Sequence, residues 1–414
     1  MKLLYVTQYY SANPTHASTV TTYEIVTRLA HRGHSVAVVS ADSPGILRIH
    51  RRGSNSVQVV RSLPIPSLST KWYDGFTTLF THTLAHVPLI AATLLFYQKH
   101  TKERFDAIIS MYHPTHLATV SASLLSRILK LPLVVKIFDF IIETIEPNRL
   151  KRMYHLALGR VNVDMLRRSG SPILVQSPEL RDVIVGEGGV SNERLIVFSN
   201  GVDVDLFRPD IPCNELRESL KLEGKNVVLF LGGLYRQRHP ELLIKALPAI
   251  LREVKDVVVL FVGTGPERLG LMALAERLSV NDAVNFLEPV EHSFVPKLIS
   301  LADVTVGPLS VTCLPTIYGS TPLTVLEYMA CGKPVIVSRG AVSESVIING
   351  HTGIQIEPGD VRGLSLSIIE LIENQGASQT LGRNARSHVQ KVSSWNVLIS
   401  RLEEILCSVT KGSK

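Results

Sequence analysis

The chain runs to 414 residues, of which 45% are hydrophobic and 19% charged. That is too long for one ordinary domain and too apolar for extended disorder, and at roughly 150 residues per domain it predicts two or three. Lys and Arg outnumber Asp and Glu by 43 to 36, a net +7 that is too modest to mark a nucleic-acid binder by itself. The excess is carried wholly by residues 1–210, with 23 basic against 16 acidic side chains, while residues 211–414 balance at 20 each.

Read in chain order, Leu3 to Val6 is a buried strand, followed by a helix through Glu24 to His31 that Gly33 ends. Strands at Val36–Val39, Ala107–Ile109, Leu133–Ile137, Ile173–Val175 and Leu195–Phe198 alternate with helices at Leu117–Leu129 and Glu179–Val185. The alternation restarts at Val227–Leu231 and Gly232-Gly233. It continues through helix Glu241–Glu253, strand Val257–Val262, helix Glu267–Leu278, strand Val284–Leu287, helix Val295–Leu301, strand Val304–Val306, helix Pro322–Ala330 and strand Pro334–Val337. Apolar strands alternating with helical periods imply parallel sheets covered on both faces. The expected architecture is α/β, two tandem doubly wound Rossmann-like domains facing across a cleft. They take residues 1–208 and 209–390, with a C-terminal helix over 391–414 returning towards the first. Ligands of such sheets bind at the carboxyl ends of the strands.

The cysteines, Cys213, Cys313, Cys331 and Cys407, form no C-x-x-C pair, so neither a zinc site nor a disulfide framework is expected. The N-terminus lacks the length and cleavage site of a secretory signal, which suggests a cytoplasmic chain. Residues 75–98 carry no Asp, Glu, Lys or Arg, but Thr, His and Pro88 dilute the run. It reads as a buried or half-buried helix, or one lying on a bilayer, before it reads as a membrane span.

Chemistry concentrates in the second half. Gly232-Gly233 follows a buried strand and precedes Arg236, Arg238 and a helix start. Absent Cβ atoms, guanidinium groups and free helix amides together suit a diphosphate, though solvated arginines on a glycine turn are an equal reading. Gly263-x-Gly265-Pro266 is a second such turn, too incomplete for a dinucleotide fingerprint. In Gly319–Pro334, Pro322 suits a helix start, and Glu327 sits in an otherwise apolar helix, where a carboxylate calls for a partner such as a ribose diol or else lies on a solvated face. His113 stands beyond a strand on the side expected to face the cleft.

Asn200-Gly201-Val202-Asp203 with Phe207 and Pro209, and Leu326–Ile336, resemble the signatures of family 4 glycosyltransferases with the GT-B fold. Arg32-Gly33-His34, Gly263-x-Gly265-Pro266, Asp303, Gly353, Pro358-Gly359-Asp360 and Ser394-Trp395 follow in family order over nearly the whole length. The resemblance implies a retaining, metal-independent transfer of a sugar from a nucleotide diphosphate donor to an acceptor hydroxyl, without a cofactor. It places the acceptor on the first domain and the donor on the second. It further implies Glu327 on the ribose, the Leu323 and Thr324 amides at the diphosphate or the sugar, and Arg238 where the family usually has a diphosphate-binding Lys; Gly232, Gly233, Gly265 and Arg236 are then expected about the same donor. Arg238 then serves in catalysis by stabilising the leaving phosphate, with His113 expected to hydrogen-bond the donor sugar or the acceptor. His16 and Asp139 fall on the acceptor side, Asp139-Phe140-Ile141-Ile142-Glu143 being similar to a stretch of members that act on lipid-linked acceptors. Two departures stand out: Gly319 replaces the first glutamate of the E-x7-E motif, and the first loop lacks its usual glycine pair. The rival reading is therefore a catalytically silent module that binds nucleotide sugar or a partner enzyme. The expected setting is cell-surface polysaccharide, glycolipid or glycoprotein glycan synthesis, with the basic first half peripheral on an anionic membrane face and no role for nucleic acid.

Overall fold

The computed structural model describes residues 1–7, 10, 17–40, 48–52, 55–61, 104–114, 117–138, 140, 149–307, 309 and 319–412. By contacts the chain divides into two units. The first takes in Met1–Gln176, Leu180–Phe198 and Ile399–Lys414, and the second Ser177–Glu179 and Ser199–Leu398.

Among the described residues, the first unit holds a sheet of strands β1 (Lys2–Thr7), β2 (Ser35–Ser40), β3 (Arg48–Arg52), β4 (Asn55–Arg61), β5 (Ala107–Tyr112), β6 (Leu133–Ile137), β7 (Ile173–Val175) and β8 (Leu195–Val197). Their order is β3-β4-β2-β1-β5-β6-β7-β8, and every pairing is parallel except β3 with β4. The antiparallel edge pair is absent from the sequence reading. Its Arg48-Ile49-His50-Arg51-Arg52 stretch is too charged to look like a buried parallel strand. The helix Arg149–Arg168 was hidden for the same reason. Strand β5 continues past Ile109 to Tyr112, fully buried throughout, so His113 follows directly at its carboxyl end.

The second unit repeats the plan with β9 (Asn226–Leu231), β10 (Val257–Val262), β11 (Val284–Leu287), β12 (Val304–Val306), β13 (Val335–Ser338) and β14 (Ile354–Ile356), in order β11-β10-β9-β12-β13-β14, all parallel. Side chains alternate between two cores. Val227 and Leu229 of β9 join one cluster with Leu326, Tyr328 and Met329, while Val228 and Phe230 join the other with Leu243, Leu247 and Ile368. A sheet buried on both faces is what its continuous Val, Leu and Phe runs demand. Strand order reverses between β9 and β12 here, and between β1 and β5 in the first unit. Such switch points open a crevice at the strands' carboxyl ends.

The crossing from the first unit to the second falls at Ser199, ahead of the division after residue 208 expected from the sequence. Hydrogen bonds explain the shift. Asn200 donates from its backbone to Thr321 Oγ1 at 3.1 Å and from Nδ2 to Thr321 O at 3.0 Å. Val202 N donates to Ser393 O at 2.9 Å, and Trp395 N to Val202 O at 3.1 Å. A Cβ at Gly201 would collide with the Trp395 indole, so the two distant motifs fit only with glycine at 201. Arg386 then pins the segment by donating to the carbonyls of Val204, Phe207 and Ala330.

Candidate functional site

The second unit's switch point gathers most of the residues singled out from sequence. The β9 strand ends at Leu231, whose amide donates to the Tyr328 hydroxyl at 2.8 Å. Tyr328 lies wholly buried on the helix Leu323–Ala330, so this bond ties the helix to the start of the Gly232-Gly233 turn. Burial holds the Tyr328 phenol well above its ordinary pKa, keeping it neutral as that acceptor.

Gly232 has φ +126°, a conformation that L side chains rarely adopt, and a Cβ there would strike the Arg238 guanidinium. The turn therefore lets Arg238 fold across it. Residues Arg236–Arg238 form a single 3-10 turn, and the Arg238 carbonyl accepts from Leu309 N at 3.3 Å. The Arg238 guanidinium makes no hydrogen bond or ion pair among the described residues, and burial lowers its pKa from the usual arginine range. A partly desolvated guanidinium with five N–H donors and no acceptor is built to receive an anion. Arg236, on the same turn, is exposed.

The helix Leu323–Ala330 presents its N-terminus with Pro322 as cap and no side-chain capping bond. Val325 and Leu326 amides both turn back to Pro322 O, at 3.1 and 3.2 Å. The Leu323 and Thr324 amides have no partner among the described residues, leaving two donors at the positive end of the helix dipole.

Glu327 is buried, with only 7% of its side chain exposed, which removes the solvated-face reading. Its Oε1 lies 2.7 Å from Nε2 of His292, and the His292 ring packs on Phe207 with centroids 5.2 Å apart. Oε2 has no partner among the described residues, so the carboxylate is held by one oxygen and open at the other. His292 was missed from sequence. It is one of 14 histidines and sits 35 residues from its partner, so no spacing could have revealed it.

Gly265 has an architectural reason to be glycine: a Cβ would meet the backbone carbonyl of Leu234. Leu234 N donates to Thr264 O at 2.9 Å and Glu267 N to Leu234 O at 3.2 Å, so the turns after β9 and β10 lock together.

In the first unit, His113 lies at the end of β5. Burial first, and the neighbouring His155 second, pull its pKa down to about 4, so the ring is neutral at pH 7. A neutral imidazole there can donate from one nitrogen and accept at the other. His16, Asp139 and the residue 75–98 segment lie outside the described residues. Among the described residues no cluster of His, Cys, Asp or Glu could hold a metal ion, and no helix is long and apolar enough to cross a membrane.

Comparison with known proteins bears on this geometry. Residues 17–201 match the family described as glycosyl transferase 4-like domain, and residues 214–388 match glycosyl transferases group 1. The chain is 28% identical over 207 residues to a GDP-mannose-dependent alpha-(1-6)-phosphatidylinositol monomannoside mannosyltransferase of Mycolicibacterium smegmatis, covering 50% of this chain and 54% of that one. It is 31% identical over 220 residues to the corresponding monoacylated-substrate mannosyltransferase of Corynebacterium glutamicum, covering 50% and 55%. The aligned stretch thus spans about half the length of these curated relatives. The crystal structure of Anabaena Alr3699/HepE in complex with UDP shares the fold at TM-score 0.73 and 21% identity, over 99% of this chain and all of that one. With both units matched, and with the motifs seated about one switch point, the chain belongs to the family 4 glycosyltransferases of GT-B fold.

Proposed function

We propose that the protein transfers a sugar, with retention at the anomeric carbon, from a nucleotide diphosphate donor held by the second unit to an acceptor hydroxyl. The observation that carries this reading is the Arg238 guanidinium, without a partner among the described residues, in the same unit as the Leu323 and Thr324 amides and the Glu327 carboxylate, whose Oε2 is likewise without one. Cationic donors for a diphosphate and an acceptor for a ribose diol together describe a nucleoside diphosphate. The Anabaena neighbour is a UDP complex, and two curated relatives are named as GDP-mannose-dependent, so both bases are candidates.

Negative charge grows on the leaving phosphate as the glycosidic bond breaks. Arg238 and the helix amides then stabilise the transition state more than the ground state. The donor phosphate can take the acceptor proton in a front-face reaction, so no protein nucleophile and no metal is required. Neutral His113 supplies a hydrogen bond to the reacting sugar or the acceptor.

The acceptor side is proposed to meet an anionic membrane. The helix Arg149–Arg168 exposes Arg149, Arg152, Met153, Arg160 and Val161, and the helix it packs on, Ala118–Leu129, exposes Leu124, Arg127 and Ile128. Exposed basic and apolar side chains on two packed helices suit an anionic lipid headgroup layer, and a lipid-linked acceptor would be found there.

The test is a thermal-shift screen of UDP-, GDP- and ADP-sugars, followed by transfer from the stabilising donor with chelator present. A matching donor raises the melting temperature by mass action. Stabilisation without donor hydrolysis or transfer would favour the silent binding module, for which Gly319 is the specific observation. No stabilisation by any nucleotide sugar would refute the transferase reading and the nucleotide-sugar form of the silent module.

A further inference from the structure

Gly319 is a glycine for a reason the sequence hides. It takes φ +61°, and a Cβ built on it would lie 2.8 Å from the carboxyl carbon of Glu179 and 3.0 Å from its Oε2. The space that a side chain at 319 would enter already holds a carboxylate, delivered from 140 residues upstream. Ser177–Glu179 belong to the second unit, although the rest of the helix Pro178–Gly186, from Leu180 on, belongs to the first.

That carboxylate is fixed. Oε2 accepts from the Ser343 hydroxyl at 2.8 Å and Oε1 from the Glu344 amide at 3.0 Å. Ser343 is wholly buried, and its amide donates to Ser320 O at 2.9 Å, so the clamp and the loop that leads into Leu323 are one structure. A carboxylate offers about four acceptor positions, and among the described residues two are used. The loop from Gly319 to Leu323 joins this acceptor to the Leu323 and Thr324 amides. An anionic diphosphate belongs at the amides, and a neutral group rich in hydroxyl donors belongs at the carboxylate.

We infer that Glu179, standing in the space beside Gly319, is the residue that reads the hydroxyls of the donor sugar. The inference rests on the nucleotide-sugar reading above and deepens it. It also gives the missing motif carboxylate a replacement from another segment, so Gly319 need not signal lost catalysis.

The experiment is calorimetric titration of wild-type protein and Glu179→Gln, with UDP against UDP-glucose and GDP against GDP-mannose. Glutamine keeps the size and can still accept from the Glu344 amide, so the fold survives, which equal melting temperatures would confirm. The inference expects nucleotide-sugar affinity to fall about tenfold, equivalent to the loss of one charge-assisted hydrogen bond, with the bare diphosphate unchanged within about twofold. Equal affinities in both proteins for both ligands would overturn it, as would an equal loss for sugar and bare nucleotide, which is the mark of a purely structural clamp. Wild-type protein that binds none of the four ligands, nor ADP and an ADP-sugar titrated beside them, would instead overturn the parent reading, and the inference with it.

Discussion

Lys136 offers a sharp test of how the first unit is built. It sits on β6 with 1% of its surface exposed, donates to Phe198 O at 3.2 Å, and lies 4.9 Å from the Phe198 ring centroid. Phe198 is the last residue before the chain crosses into the second unit. An ammonium has three donors, and this one makes a single bond among the described residues, so burial pulls its pKa from 10.5 down to about 7. Between those values the unfolded chain keeps a proton that the folded chain has shed. Stability therefore rises with pH, is full above the unfolded value, and is lost as pH falls through about 7. The whole shift corresponds to about 5 kcal/mol as an upper bound, of which about 1.5 kcal/mol falls between about pH 7 and about pH 8.5. Lys136→Met replaces the ammonium with an apolar chain of similar length. Urea midpoints for both proteins across that range should show the wild type gaining on the variant as pH rises, with the variant the more stable at pH 7. Parallel curves, or a variant weaker at pH 7, would refute the reasoning. Taking the difference between the two proteins cancels the titration of every other group.

Gly201→Ala should destabilise the second unit by about 1–3 kcal/mol, because the new methyl meets the Trp395 indole; an unchanged urea midpoint would count against the motif contact. Glu327→Ala should weaken nucleotide affinity about tenfold or more in calorimetry, since the ribose loses a charged acceptor; unaltered affinity would remove Glu327 from the site. Anionic vesicles should sediment the wild type at low salt and release Arg152→Glu/Arg160→Glu; a wild type left in the supernatant would end the membrane proposal.

The fold was legible because continuous apolar strands such as Val257–Val262 and glycine turns such as Gly232-Gly233 are local signals. Each strand's residues divide between two cores only when helices cover both faces, so the apolar runs already carried the two-sided sheet. Strand β3 and the helix Arg149–Arg168 were not legible, since their charge masks periodicity; β4 went unread although Arg61 is its one charged residue. At the site, Arg238, Glu327 and the helix start could be placed by motif and by helix-terminus physics. Their partners could not. His292, Tyr328 as an acceptor for Leu231, and Glu179 beside Gly319 meet the site through tertiary contacts across 35, 97 and 140 positions. Gly265 shows the reverse: a motif residue whose lack of a side chain is accounted for by the backbone of Leu234.

The claim that the second unit holds a nucleotide diphosphate turns on Arg238. The direct measurement is calorimetric titration of UDP and GDP into wild type and Arg238→Ala at matched melting temperature. The account predicts micromolar-range binding of one nucleotide by the wild type and a loss of about thirtyfold or more in the variant, the worth of a charge-assisted phosphate contact. Equal affinity in the two proteins would contradict it.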